Sequence, residues 1–141
     1  MKRLHLALIL PCVLFSISGF AEEQPLITPQ TQGEVSFVSG GVGGDEREAM
    51  QAIRANYNLN LLFSVKGSGE YLSDVKVRIT DSKDNTVLDT VSDGPKLFAK
   101  LKPGRYVVTV DSDGQVLHKT ATVGDKRTTS LSFTWPAEQG N

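Results

Sequence analysis

The sequence predicts a mainly β protein, a seven-stranded β-sandwich preceded by one short amphipathic helix. From Leu59 onward, apolar and polar residues alternate with the period of two that strands show. Turn-forming pairs such as Asp93-Gly94 and Asp113-Gly114 separate these runs, at the spacing of about eight to twelve residues typical of sandwiches. The 141 residues, 39% of them hydrophobic, suit one soluble domain.

The N-terminal segment, residues 1–21, has the features of a secretory signal. A basic start precedes an apolar run from Leu6 to Ile17, and Gly19-Phe20-Ala21 forms a small-x-small cleavage site. Pro11 and nearby serines leave the run short of the roughly 20 apolar residues that a spanning helix needs. We therefore expect a periplasmic or secreted protein that begins near Glu22 and is not inserted stably in a membrane after cleavage.

Cleavage at this site changes the composition. It removes Cys12 and two basic residues, which leaves thirteen Lys and Arg against sixteen Asp and Glu, a net charge of −3. His118 is then the one histidine. This inventory argues against disulfides, Cys- or His-based metal sites and a bound cofactor. Export and net negative charge argue against nucleic acid as a partner.

The segment after the signal divides into two parts. Residues 22–34 carry prolines and polar side chains without apolar periodicity, which predicts a flexible tether. Residues 35–57 are expected to form a short strand, a glycine-rich loop and a helix at 45–56. Asp45 is the expected N-cap, with Glu48 completing a capping box. The glycines lack the Gly-Lys-Ser/Thr of a phosphate loop and serve to turn the chain into the helix.

Residues 58–136 are expected to form the sandwich domain. Its seven predicted strands are 59–65, 75–80, 87–91, 96–102, 105–111, 115–123 and 128–135. In the last of these, Leu131, Phe133 and Trp135 should face the core, while Ser130 and Ser132 face outward.

One turn carries a family resemblance. Leu101 to Val108 has the pattern L-x-P-G-x-Y, and Val75 to Ile79 and the Asp93-Gly94 turn precede it at a similar spacing. This region resembles transthyretin-like (prealbumin-like) sandwiches, including carboxypeptidase regulatory-like domains and Cna-type B repeats. With Gly40-Gly41-Val42-Gly43 and Asp45-Glu46-Arg47-Glu48, the chain is similar to small exported bacterial proteins that contain such a domain. The resemblance implies the fold and says little about function.

Enzymatic functions find little support in the residues. The hydroxyisourate hydrolases, which share the transthyretin-like fold, use several histidines, whereas here His118 stands alone on the polar side of its strand. No G-x-S-x-G elbow is present. Asp45, Glu46 and Glu48 mark a helix start, or they supply the carboxylates of a small hydrolase, which remains as one alternative.

Two features suggest a binding surface. Lys96, Phe98, Lys100 and Lys102 share one side of a predicted strand, with Arg105 just beyond the turn. This basic stripe with an exposed aromatic would suit an acidic protein or polysaccharide, or its lysines protect an edge strand from pairing.

The second feature is Tyr71, in the loop 67–73 after the first sandwich strand. Its ring would stack on a sugar, or Tyr71-Leu72 plugs the core at the start of a strand. The resulting expectation is a non-enzymatic exported module that binds an envelope protein or a polysaccharide. The alternative is an accessory or carbohydrate-recognition domain that assists an envelope enzyme.

Overall fold

The protein folds into a β-sandwich in which a five-stranded and a four-stranded sheet pack face to face. The computed structural model describes residues 25–137, so the predicted signal peptide lies outside the described part. The helical elements are α1 (Gly44–Ile53) and a single 3-10 turn (Arg54–Asn56). The strands are β1 (Gln30–Gln32), β2 (Val35–Gly40), β3 (Leu59–Val65), β4 (Val75–Asp81), β5 (Thr86–Ser92), β6 (Lys96–Lys100), β7 (Gly104–Ser112), β8 (Gln115–Val123) and β9 (Thr129–Trp135).

The strand order confirms the predicted sandwich and corrects its strand number. The sheets run β1-β2-β6-β3-β9 and β5-β4-β7-β8, so nine strands, not seven, form within residues 25–137. One of the two further strands is β2, the short strand predicted within residues 35–57, which joins the sandwich by pairing with β6 and sends Val35 and Phe37 into the core. The other is β1, which pairs with β2. β1 lies in the segment predicted as a tether; its three polar residues have no apolar alternation to reveal a strand.

The main core fills the space between the sheets. At one end, the rings of Phe63, Phe133 and Trp135 have centroids 6.1 to 6.4 Å apart in tilted arrangements. At the other end Tyr106 is buried, and its hydroxyl donates to the carbonyl oxygen of Lys102 at 2.7 Å. The tyrosine of the L-x-P-G-x-Y pattern thus ties down its own turn, as in the tyrosine corner of other sandwiches.

Hydrogen bonds between side chains and backbone close both sides of the sandwich. Trp135 Nε1 donates to the carbonyl of Gln115 at 2.9 Å, and Thr129 Oγ1 donates to that of Thr122 at 2.8 Å, which joins β9 to β8. On the opposite side, Gln32 in β1 bonds to the backbone of Asp89 in β5. The edge strands are therefore partly covered by side chains of the other sheet.

A smaller core forms where α1 packs on the outer face of the five-stranded sheet, the face turned away from the other sheet. Met50 and Tyr57 cover Val38 and Phe98, and the Tyr57 and Phe98 ring centroids lie 6.0 Å apart. The amphipathic pattern of the helix thus has a partner that the sequence does not identify. Burial raises the pKa of the Tyr57 hydroxyl.

The predicted capping of α1 is wrong. The N-cap residue is Gly43, with φ 79°, and no side chain caps the helix. The carboxylate of Glu46, rather than Asp45, turns back and accepts a hydrogen bond from the Gly41 N–H at 2.9 Å. Glycine at position 43 permits a backbone conformation that a residue with a Cβ rarely adopts, which starts the helix one residue earlier than predicted.

Candidate functional site

The predicted basic stripe lies on an interior strand. β6 is hydrogen-bonded to β2 on one side and β3 on the other, so its lysines do not protect an edge. Phe98 is only 4% exposed because α1 packs over it. The expectations of an edge strand and of an exposed aromatic at position 98 are both wrong.

The remaining stripe residues separate in space. Lys96 and Lys100 lie at opposite ends of β6, and Lys102 pairs with Glu34, Nζ to Oε2, at 2.6 Å. This contact raises the pKa of Lys102 and lowers that of Glu34. Arg105 belongs to the other sheet, opposite Thr122 on its outer face. The five residues therefore do not form one continuous surface.

The helix leaves part of the outer face of the five-stranded sheet open. β3 and β9 pair in parallel, which sets Leu62 beside Ser132 and Ser64 beside Thr134. Their neighbours in sequence, such as Phe63 and Phe133, are in the core, so these four side chains point outward. We call this exposed surface, together with the side chains that border it, the outer shelf.

Tyr71 joins the outer shelf through backbone pairing. It forms an isolated antiparallel bridge with Ser64 and lies beside β3 just beyond Lys96, the first residue of β6. Paired residues share a face, so Tyr71 lies on the outer side, where it is 49% exposed. Its neighbour Leu72 packs against the main core, so the core-plug interpretation of Tyr71-Leu72 applies to Leu72 and not to Tyr71.

Lys96 borders the same surface. It pairs with Leu62, two residues before the Ser64 that Tyr71 faces, so both candidates flank β3 on the outer side. The tertiary structure thus brings together one residue from each of the two surfaces that the sequence suggests.

Arg54 completes the outer shelf from the helical side. Its Nη2 lies 3.3 Å from the hydroxyl oxygen of Ser130. The Asn60 amide is satisfied when its oxygen accepts from Arg54 Nε at 2.6 Å and its nitrogen donates to the Leu59 carbonyl at 3.1 Å. The guanidinium is thereby held against the sheet rather than left free in solvent.

An open groove of about 210 Å³ runs along this surface. The charged residues that line it, Arg54 and Lys96, are both cations. The remaining lining residues are polar or apolar: Gln51, Asn60, Leu61, Leu62, Phe98, Ser130, Leu131 and Ser132. The groove can donate hydrogen bonds to an anionic or hydroxyl-rich ligand.

The sequence pattern does not identify Arg54 as a site residue. The sequence places it on the polar side of the helix, and only the packing of α1 against β6 turns it toward β9. The outward-facing serines of β9 were identifiable from their alternation with Leu131 and Phe133, and the structure confirms their exposure.

A second cleft lies at the end of the sandwich where β6 finishes and the β8–β9 loop begins. It measures about 530 Å³, and the cations Lys100, Lys126 and Arg127 line it together with Asp125. We call it the basic end cleft. The sequence singles out Lys100 alone among these cations, because Lys126 and Arg127 lie in the distant loop between β8 and β9.

The candidate catalytic carboxylates lie in α1, whereas His118 lies in β8. Asp45 and Glu48 are exposed. The Glu46 carboxylate accepts a hydrogen bond from the Gly41 N–H. His118 is exposed on β8, as predicted. Across residues 25–137, no group of three or more His, Cys, Asp or Glu side chains is arranged to hold a metal ion. The same residues include no helix long and apolar enough to cross a membrane.

No protein-family model matches this chain, and no curated protein is significantly similar to it.

Proposed function

We propose that this protein is a non-enzymatic, exported interaction module that binds its partner through the outer shelf. The observation that carries the proposal is the arrangement of Arg54, Lys96 and Tyr71 around an exposed sheet surface that α1 leaves uncovered. An aromatic ring bridged to β3, a guanidinium held against the sheet and an ammonium on β6 can together orient a ligand.

The chemistry of these groups supports recognition. Guanidinium and ammonium groups donate hydrogen bonds and attract anions, and serine hydroxyls both donate and accept. A catalytic role would require an acid, a base or a nucleophile placed within hydrogen-bonding reach of a neighbour that activates it. The polar contacts of Arg54 instead hold its own side chain in place.

Sequence features support export to the periplasm or beyond. The basic start, apolar run and Gly19-Phe20-Ala21 site are those of a cleaved secretory signal. The two-sheet architecture and the Tyr106 hydroxyl bond are compatible with a carboxypeptidase regulatory-like, transthyretin-like domain. Domains on this fold serve many functions, so the assignment to binding depends on the outer shelf.

Capture from cell-envelope extract tests the proposal. The purified protein is immobilised, and bound protein and bound carbohydrate are quantified for the wild type and for the double variant Lys96→Gln/Tyr71→Ala. Lys126→Gln is the matched control, because it removes the same charge from the basic end cleft. We expect recovery to fall at least about fivefold for the double variant alone. Undiminished recovery by that variant, or a loss with Lys126→Gln alone, would overturn the assignment.

A further inference from the structure

We infer that the ligand of the outer shelf is an acidic polysaccharide, a polymer of sugars that carry carboxylate or sulfate groups. This inference rests on the proposed function and specifies the chemistry of its partner. Three properties of the surface support it, namely the sign of its charges, the exposed ring of Tyr71 and the hydroxyl groups along the strands.

The charges favour an anion. Arg54 and Lys96 are the charged residues among those that line the groove, and they approach it from α1's C-terminal side and from β6. Gln51 also lines the groove, and Arg47, four residues earlier, lies on the same side of the helix. Beyond its predicted signal, the chain has more acidic than basic residues. The positive charge of the groove is therefore a local feature, and it favours negatively charged ligands.

The ring of Tyr71 favours a sugar over a simple ion. Tyr71 is 49% exposed and bridges Ser64 on the side of β3 away from β9, so part of its ring faces solvent on the outer side of the sheet. The C–H face of a pyranose can cover such a ring while the phenol hydroxyl remains in water. A small inorganic anion would gain nothing from this contact.

The hydroxyl groups of the outer shelf form a row along the direction of β9. Ser130, Ser132 and Thr134 project from alternate positions of β9, about 6.6 Å apart along the strand. Ser64 adds a hydroxyl on β3 beside Thr134. An extended polymer that lies along these strands would meet donors and acceptors in succession, with Tyr71 near one end and Arg54 near the other.

The structure disfavours an acidic peptide that adds as a strand to β9. Such binding needs free backbone groups at a sheet edge. The Lys119 ammonium of β8 donates to the carbonyl of Ser132 at 2.5 Å, and Thr129 and Trp135 form further links across the same seam. One backbone carbonyl on the free edge of β9 is therefore engaged, and two β9 side chains hold β8 against this edge, whereas the outer shelf remains open.

Calorimetric titration with defined polymers tests the inference. Polygalacturonate carries the carboxylates, and fully methyl-esterified polygalacturonate is the matched uncharged polymer; dextran sulfate and dextran form a second pair that supplies sulfate. Poly-glutamate carries carboxylates on a peptide backbone. We expect at least one acidic polysaccharide to bind about tenfold or more tightly than its neutral match and than poly-glutamate.

Variants assign the binding to the outer shelf. Lys96→Gln and Tyr71→Ala should each weaken the binding about tenfold, whereas Tyr71→Phe, which keeps the ring, and Lys126→Gln should leave it within about twofold. Circular dichroism and thermal unfolding of each variant exclude loss of fold. Equal binding of poly-glutamate, insensitivity to Tyr71→Ala, or absence of binding to both acidic polysaccharides would overturn the inference.

The two experiments distinguish failure of the proposed binding surface from failure of the proposed ligand. If neither acidic polysaccharide binds but envelope capture still requires Lys96 and Tyr71, the outer shelf is a binding surface with a different ligand. If envelope capture and polysaccharide binding are both insensitive to these residues, both proposals are wrong.

Discussion

The side-chain amide of Asn58 forms two hydrogen bonds with the backbone of Leu101. Asn58 Nδ2 donates to the Leu101 carbonyl oxygen at 2.7 Å, and the Leu101 N–H donates to Asn58 Oδ1 at 2.9 Å. The pair joins the turn before β3 to the loop after β6, beside the basic end cleft. One amide thus satisfies two backbone groups that no strand partner reaches.

Replacing Asn58 should destabilise the fold. Asn58→Ala leaves two partly buried backbone groups without partners, and we expect the free energy of unfolding to fall by about 1 to 3 kcal/mol. Urea denaturation measures the change. Gln32→Ala is the matched control, because Gln32 forms the same two bonds with Asp89 at an exposed position where water can replace them. An equal loss in both variants would contradict the role of burial.

Gly94→Ala should disrupt the contact between the β5–β6 turn and β2. A Cβ at position 94 would overlap the backbone of Gly40, which cannot move without shifting the β2–β6 pairing. We expect a loss of about 1 to 3 kcal/mol or more in stability.

Gly124→Ala is the control for this variant, because a Cβ at position 124 meets nothing within 4 Å. Thermal unfolding followed by circular dichroism compares the two variants. A Gly94→Ala protein as stable as Gly124→Ala would show that the close approach of Gly94 to Gly40 is unimportant.

The two aromatic residues of the sequence-predicted surfaces should differ in their effect on stability. Phe98→Ala removes a buried ring from beneath α1 and should cost about 3 to 5 kcal/mol. Tyr71→Ala removes a half-exposed ring and should change stability by no more than about 0.5 kcal/mol. Chemical denaturation of both variants checks this difference, which would be absent if α1 did not pack on the sheet.

The turn between β4 and β5 should lose stability in acid. The Asp81 carboxylate accepts from the N–H groups of Asn85 at 2.9 Å and Lys83 at 2.8 Å, and these bonds lower its pKa below the ordinary 3.8. Because the folded state favours the ionised form, Asp81 stabilises the protein above its ordinary pKa, and this contribution disappears as the pH falls through the lowered value.

Asp81→Asn tests this dependence. Its melting temperature should lie below that of the wild type at neutral pH, and the difference should narrow as the pH falls below 3.8. Melting curves recorded across this range measure the effect. A difference that stays constant with pH would mean that ionisation of Asp81 does not stabilise the turn.

The sequence predicts the strands of the sandwich well because their alternation is local. β3 and β8 occupy the predicted residues, and Phe133 and Trp135 face the core as expected. It fails at β1, which forms because β2 offers hydrogen-bonding groups to three polar residues. It also fails at Asp45, because the N-cap residue is Gly43, whose positive φ of 79° is accessible to glycine, and no side chain caps the helix.

The candidate site shows the same division. Alternation places Phe98 and the lysines on one face of β6. No local sequence pattern predicts that α1 covers Phe98, in the middle of that face, and leaves Lys96 at the border of the covered area. Tyr71 reaches the outer shelf through a bridge to Ser64, and Arg54 through the docking of α1.

Residue periodicity and turn chemistry are local, and they determine the two-sheet class, the boundaries of most strands and which side chains share a face. Strand order, the position of the helix and the grouping of Arg54, Lys96 and Tyr71 arise from contacts between residues distant in the chain. These contacts form because they bury apolar faces and satisfy backbone hydrogen bonds together, and no short stretch of sequence contains that information.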